Sequence, residues 1–366
     1  MKQLVFLRCV LAAVFALAIA AVSPAWAQAP FDPPGLDRAM AAKNFHVDRL
    51  MATDGVVGVG VGRTPGGQAA VVIMTEAAGV GGLHRSLDGV PVVIWVTGAF
   101  NAINRPDANG NHDHGTVEDP PPDPSADPCD SDPTAQCGTP VPIGVSTGNA
   151  TSCSAGTIGF RVADDRDVYS LSNNHVYALS NAAELGDDIV QPGSYDTNCN
   201  VEGSTGIGTL AEYEPFDLRS CLNGGHNTID AAIALSSEGL LGNATPLDGY
   251  GTPSSITVPA TIGLDVQKYG RTTGLTMGTV TTINATVNVG YSAGTACFQD
   301  QIIVESSKGA FIKSGDSGSG LVTDDDGITN QNPVGLLFAG SRSGKVAIAN
   351  PIDDVLYRFF VAVDGL

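Results

Sequence analysis

The heptapeptide SGDSGSG at residues 314–320 is poorly explained as structure alone. A core strand gains little from three glycines around the charged Asp316, and a solvated loop is not usually flanked by GAFIK and LVTDD. A nucleophile does need such neighbours. An exposed hydroxyl on a sharp turn requires small flanking residues, and two backbone N–H groups must converge on a developing oxyanion. Ser317 is the candidate nucleophile, with the N–H groups of Gly315 and Ser317 as the oxyanion hole. A serine hydroxyl is a weak nucleophile at neutral pH, so it needs a base, and the base needs an orienting carboxylate. His175 in LSNNHV supplies the first and Asp230 in HNTIDAAIAL the second. A lone histidine at a strand end is ordinarily a satisfied core residue, and Asp230 could be a plain strand-capping acid. Against that, a carboxylate opening an apolar run is costly to bury unless paired, and a histidine N–H is a suitable partner.

A rival nucleophile is Ser292 in GYSAG, residues 290–294, which fits the elbow of α/β-hydrolases. That fold places its histidine after the serine, and the last histidine here is His226, so the rival fails on order. Glycines 58, 60 and 62 miss the third position of a dinucleotide fingerprint and read instead as strand alternation with a close backbone approach. No cofactor or metal is implied.

Positioning such residues falls to many short strands. From 143 to 366 the segments GTIGFRVA, VYSLSNN, STGIGTLAEY, NTIDAAIAL, MGTVTTINATVNVGY, FQDQIIVE, SGLVTDD and PVGLLFAGS are separated by turn residues, and only the terminal IDDVLYRFFVAV has a helical face. With 45 glycines and 6% aromatics, this predicts an all-β barrel or sandwich. Before it, Leu36, Met40, Val47, Leu50 and Met51 give a helical pattern followed by VVGVGVGR, AAVVIMTE and PVVIWVTGAF, so residues 28–105 are expected to form a small α+β domain. Between them, residues 106–142 hold eight acidic residues and nine prolines, the composition of an extended acidic linker. Within it Asp107, Asn109, Asn111, Asp113 and Glu118 mimic a calcium loop, but His112 stands where that loop wants glycine, and a solvated segment is the better reading.

The motifs LSNNHV, IDAAIA and GDSGS resemble those of trypsin-like serine peptidases, in the same His, Asp, Ser order. YGRTTGLTMGTV at 269–280 is similar to a stretch of the bacterial relatives of the plant narrow-leaf-type peptidases. The resemblance implies a double β-barrel over 143–366 with the site in the cleft between. It implies catalytic roles for His175, Asp230, Ser317 and the Gly315 amide, and serine endopeptidase activity on protein or peptide substrates. By the same resemblance Phe311 aligns with the floor of the primary specificity pocket, where an acid for Lys or Arg is lacking, and Phe338 to Gly340 with the strand that pairs with substrate. No IVGG-like start follows the linker, so activation by insertion of a new N-terminus is not implied. Arg271 in GRTTG is expected to have a structural role in a hairpin. The alternative function is a catalytically silent trypsin-like domain that binds proteins.

Charge and compartment agree with this. The formal net charge of −20 disfavours nucleic acid and anionic lipid as partners. Lys2 and Arg8 precede an apolar run, Val10 to Val22, that ends in Ala25-Trp26-Ala27, a secretory signal over residues 1–27. The run is too short to span a bilayer, so no membrane association is expected after cleavage, and the protein should be secreted, either extracellular or periplasmic. Six cysteines then remain, an even number that favours disulfides in an exported chain. Cys129 and Cys137 are expected to close a small loop.

Overall fold

The computed structural model describes residues 32–102, 127–324 and 331–366. The signal segment and the calcium-like stretch 107–118 lie outside them. The strand-rich pattern folds into two curled, mostly antiparallel sheets with few helices, the double β-barrel expected of the sequence.

The first sheet runs in the spatial order Ala362–Val363, Phe160–Ala163, Val168–Ser172, Ala232–Ser236, Thr205–Tyr213, Asp188–Gln191, Ser146–Asn149 and Gly156–Thr157. Its inward residues, among them Phe160, Val162, Leu171, Ile189 and Ile233, form one core. Full burial of each is worth roughly 1.5–3 kcal/mol relative to exposure. The predicted C-terminal helix is present at Ile352–Phe359, and its Ile352, Val355 and Phe359 join this core.

In the second sheet, Asp265–Gly270, Gly320–Thr323, Pro333–Ser341, Val346–Pro351, Gly294–Glu305 and Gly274–Tyr291 close on themselves through pairing of the first with the last. Gly274–Tyr291 and Gly294–Glu305 form a long hairpin whose tip reaches the first sheet.

The N-terminal segment has the expected helix, Leu36–Met51, and strands Val56–Arg63, Ala69–Thr75 and Val90–Val96. Its strands extend the second sheet: Gly58, Val59 and Val61 pair with Val287, Thr286 and Ile283 of the long hairpin. Ladder hydrogen bonds thus cross the boundary that composition places near 105, and the described residues belong to one compact unit. The glycine repeat has a steric reason here, because a Cβ at Gly60 would stand 2.5 Å from the Thr282 methyl and one at Gly62 2.8 Å from the Thr281 carbonyl oxygen.

The described end of the acidic stretch, 127–142, differs from an extended chain. The Cys129–Cys137 disulfide closes the expected loop, Asp127 accepts from the N–H groups of Cys129 (3.0 Å) and Gly138 (2.8 Å), and Val141 is buried in the first core. Two further disulfides, Cys153–Cys199 and Cys221–Cys297, complete the three. No helix among the described residues is long and apolar enough to cross a membrane.

Several buried tyrosines make the fold sensitive to alkali. Burial pushes Tyr177 up to about 12, burial raises Tyr250, and burial together with the Asp230 carboxylate raises Tyr291 well above its ordinary value. These folded-state values lie above the unfolded value of about 10, so their contribution is intact below that pH and is lost as pH climbs through it toward the folded values. The phenolate absorbance of these three tyrosines is expected to appear only with unfolding during alkaline titration. Ionisation of all eight tyrosines in a still-folded protein would contradict this.

Candidate active site

His175 follows the strand Val168–Ser172 on a single helical turn, Asn174–Tyr177. The two asparagines before it are staples. The Asn173 amide donates to the Asp230 carbonyl at 2.7 Å, and the Asn174 amide donates to Asn181 and to the Glu214 carbonyl, both at 2.7 Å. Asn173 ties the turn to the segment that carries Asp230 and Asn174 ties it to the chain at Asn181 and Glu214, which is why a polar cluster can interrupt a buried strand run.

Asp230 is fully buried just before the strand Ala232–Ser236. A buried carboxylate must be matched by donors, and three are present. The His175 backbone N–H reaches Oδ1 at 3.1 Å, while Oδ2 accepts from His175 Nδ1 at 2.5 Å and from the Tyr291 hydroxyl at 2.8 Å. The Asp230 N–H in turn donates to Asn350 Oδ1 at 3.1 Å. Tyr291 and Asn350 come from the second sheet, so the carboxylate is fixed across the junction of the two sheets.

With a carboxylate on Nδ1, the neutral imidazole carries its proton there and leaves Nε2 as a lone-pair acceptor. His175 is 2% exposed, and its Nε2 is buried with no hydrogen-bond partner among the described residues. An orphaned buried acceptor is unfavourable in a folded protein and calls for an explanation.

Ser317 lies on the expected sharp turn. Gly315 and Gly318 on either side have φ of 98° and 95°, which L side chains rarely adopt. A Cβ at Gly318 would stand 2.2 Å from Ser172 Oγ and 2.3 Å from the Thr157 carbonyl oxygen, so this glycine lets the turn seat against the first sheet. The Ser317 carbonyl accepts from Thr157 N–H at 2.8 Å. The Ser317 hydroxyl donates to the Phe338 carbonyl at 3.3 Å and makes no bond to His175. The N–H groups of Gly315 and Ser317 have no acceptor among the described residues.

The turn is held by Asp316, whose Oδ1 accepts from Thr272 N–H (2.8 Å) and Thr273 N–H (3.1 Å) and whose Oδ2 accepts from Lys313 N–H (2.8 Å). The buried Lys268 ammonium lies 3.8 Å away; burial lowers its pKa and Asp316 opposes that shift. Arg271 is buried as well and forms a two-point ion pair with Asp196, with Nε to Oδ2 at 2.8 Å. The structural role expected of Arg271 therefore links the GRTTG turn to the first sheet's side of the junction.

The remaining candidates are placed differently. Phe311 is fully buried in a cluster with Val266, Val280 and Leu321 of the second sheet, and Phe338 packs on Phe298 with ring centroids 4.8 Å apart. Gly340 lies in the strand Pro333–Ser341. Ser292 sits on the exposed turn of the long hairpin. Among the described residues one group has metal-like proximity, Asp127 with Cys129 and Cys137, but those sulfurs are joined to each other. Sequence reasoning missed Tyr291, Asn350 and Lys268, because none lies in a motif that signals its partner.

Comparison with known proteins bears on the same region. A family model described as the Nal1 C-terminal domain matches residues 232–354. No curated protein matches the chain. Among solved structures, a glutamic acid-specific serine protease described as using a histidine triad in substrate binding is 20% identical, with 61% of this chain and all of that one covered and a TM-score of 0.42. Thermobifida fusca protease A is 19% identical, with 62% of this chain and all of that one covered and a TM-score of 0.43. Cellulomonas bogoriensis chymotrypsin is 19% identical, with 62% and 99% covered and a TM-score of 0.40. With two curled, mostly antiparallel sheets and few helices, the chain has the double β-barrel fold expected of the sequence.

Proposed function

We propose that the protein is an exported serine endopeptidase that hydrolyses peptide bonds through Ser317, His175 and Asp230. The observation that carries the reading is the buried, unpartnered Nε2 of a histidine whose other nitrogen is locked to a buried carboxylate. That is a base held ready for a proton. Rotation of the Ser317 side chain off the Phe338 carbonyl supplies one. Ser317 Oγ then bonds to the substrate carbonyl carbon as its proton passes to Nε2, and the oxyanion is received by the N–H groups of Gly315 and Ser317. The C–N bond breaks as Nε2 returns the proton to the leaving amine. Water repeats the sequence on the acyl-enzyme and frees Ser317. Asp230 fixes the tautomer. The signal sequence and three disulfides support export.

A second reading, a silent binding module, draws on the Ser317 hydroxyl being bonded to Phe338 rather than to His175. Fluorophosphonate labelling of the purified protein decides between them, since the probe requires an activated hydroxyl but no known substrate. Covalent labelling at Ser317 is expected. A folded protein that takes no label between pH 6 and 9 would favour the binding module.

The resemblance aligns Phe311 with the floor of the primary specificity pocket, and the lack of an acid at that position sets the expected specificity. A peptide-library profile should show cleavage after small or medium uncharged residues. A profile dominated by Arg or Lys would refute the assignment.

A further inference from the structure

The strand Pro333–Ser341 has one edge covered by Val346–Pro351, from Gly335↔Pro351 to Gly340↔Ala347. Its other edge is shared. Gly320–Thr323 pairs there with Leu336 and Gly335, and next the nucleophile turn takes over, with Leu337 N–H bonded to the Ser319 carbonyl and Gly318 N–H to the Leu337 carbonyl. Ser317 Oγ meets the Phe338 carbonyl at the point where the turn leaves the edge. An extended peptide adding to the edge beyond that point would place its backbone beside the nucleophile.

That edge is already occupied by the chain itself. Phe100–Ala102 pairs antiparallel with it, Ala339↔Ala102, Gly340↔Asn101 and Ser341↔Phe100. The register puts Ala102 nearest Ser317 and Phe100 farthest, so the segment runs N to C toward the nucleophile. A peptide whose next carbonyl is to reach Ser317 and the Gly315 and Ser317 N–H groups has to run the same way. On the opposite side the segment pairs parallel with the long hairpin, Val289↔Phe100 and Gly290↔Asn101. Phe100 is 2% exposed, in a cluster with Val289, Phe298 and Phe338. Upstream, the N–H groups of Thr97 and Gly98 are both bonded to the Thr75 carbonyl.

We infer that Phe100–Ala102 is an intramolecular occupant of the peptide-pairing edge of Pro333–Ser341, so that the folded chain blocks its own site against extended peptides. The inference rests on the serine-peptidase reading. A tethered segment competes at an effective concentration on the order of millimolar, enough to exclude a peptide present at micromolar levels unless the peptide pairs far more tightly.

The test compares wild type with the double variant Asn101→Pro/Ala102→Pro in the full-length protein, since each proline removes a backbone donor from the segment. The double variant is expected to raise kcat/KM for a peptide with four residues before the scissile bond by about tenfold or more beyond any change in fluorophosphonate labelling rate. Equal gains in both, or none in peptide cleavage with both proteins labelled, would overturn the inference. If neither protein takes the probe, the serine-peptidase reading falls and the inference with it. Should the prolines cost the fold, wild type alone reads the same point by hydrogen exchange. Deuterium uptake at 100–102 should rise when a tetrapeptide aldehyde occupies the site and stay unchanged on fluorophosphonate labelling. Uptake left unchanged by the bound aldehyde would show that the segment and a peptide do not share the edge.

Discussion

Replacing Ser317 by alanine is expected to abolish fluorophosphonate labelling and to lower peptide turnover by on the order of 10⁴ to 10⁶, and His175→Ala to do nearly the same. The reason is that nucleophile and base act as one unit in the proposed mechanism. Without Nε2 as acceptor, the Ser317 hydroxyl keeps its proton and remains on the Phe338 carbonyl. Without the hydroxyl, the base has nothing to activate. The double variant should therefore be hardly worse than either single one. Ser292→Ala should keep full labelling, because that serine sits on an exposed hairpin turn. The measurement is single-turnover labelling of each variant alongside thermal unfolding. Labelling retained by Ser317→Ala would move the nucleophile elsewhere.

Much of the candidate site was legible because its chemistry is written locally. A histidine between polar staples, an acid opening an apolar run and a serine among glycines each break the pattern of the strand they interrupt. The strands were legible for a related reason: period-two runs bounded by turn residues state their own limits. The partners supplied from afar were not. Tyr291 stands in the GYSAG stretch that suggests a different nucleophile, and only the curl of the long hairpin carries its hydroxyl to Asp230. Lys268 looks like an ordinary polar strand residue until the barrel closes around it beside Asp316. The pairing of Val56–Arg63 with the same hairpin is a long-range register that composition does not encode. The acid and proline count over 106–142 likewise hid a buried, disulfide-closed end, since composition averages over residues whose fate is set by a few contacts.

Asp230→Asn is expected to fold normally and yet lose roughly 10⁴ in turnover, for a reason the donors around the carboxylate make specific. The carboxylate now accepts from three donors: the His175 backbone N–H on Oδ1, and His175 Nδ1 and the Tyr291 hydroxyl on Oδ2. An amide has one accepting oxygen and one donating NH₂. The His175 backbone N–H cannot turn over, so the amide oxygen has to face it and the NH₂ faces the imidazole. Nδ1 then becomes an acceptor, the ring proton moves to Nε2, and the base is lost with the geometry intact. Tyr291→Phe removes one of the three donors but leaves the tautomer unchanged. Its cost should therefore fall on stability, about 1.5–3 kcal/mol for a hydrogen bond to a charged group, with turnover staying within about tenfold of wild type. Steady-state kinetics and thermal unfolding of the two variants side by side separate these effects. Equal losses of turnover in both would mean that Asp230 works through packing rather than through the imidazole proton.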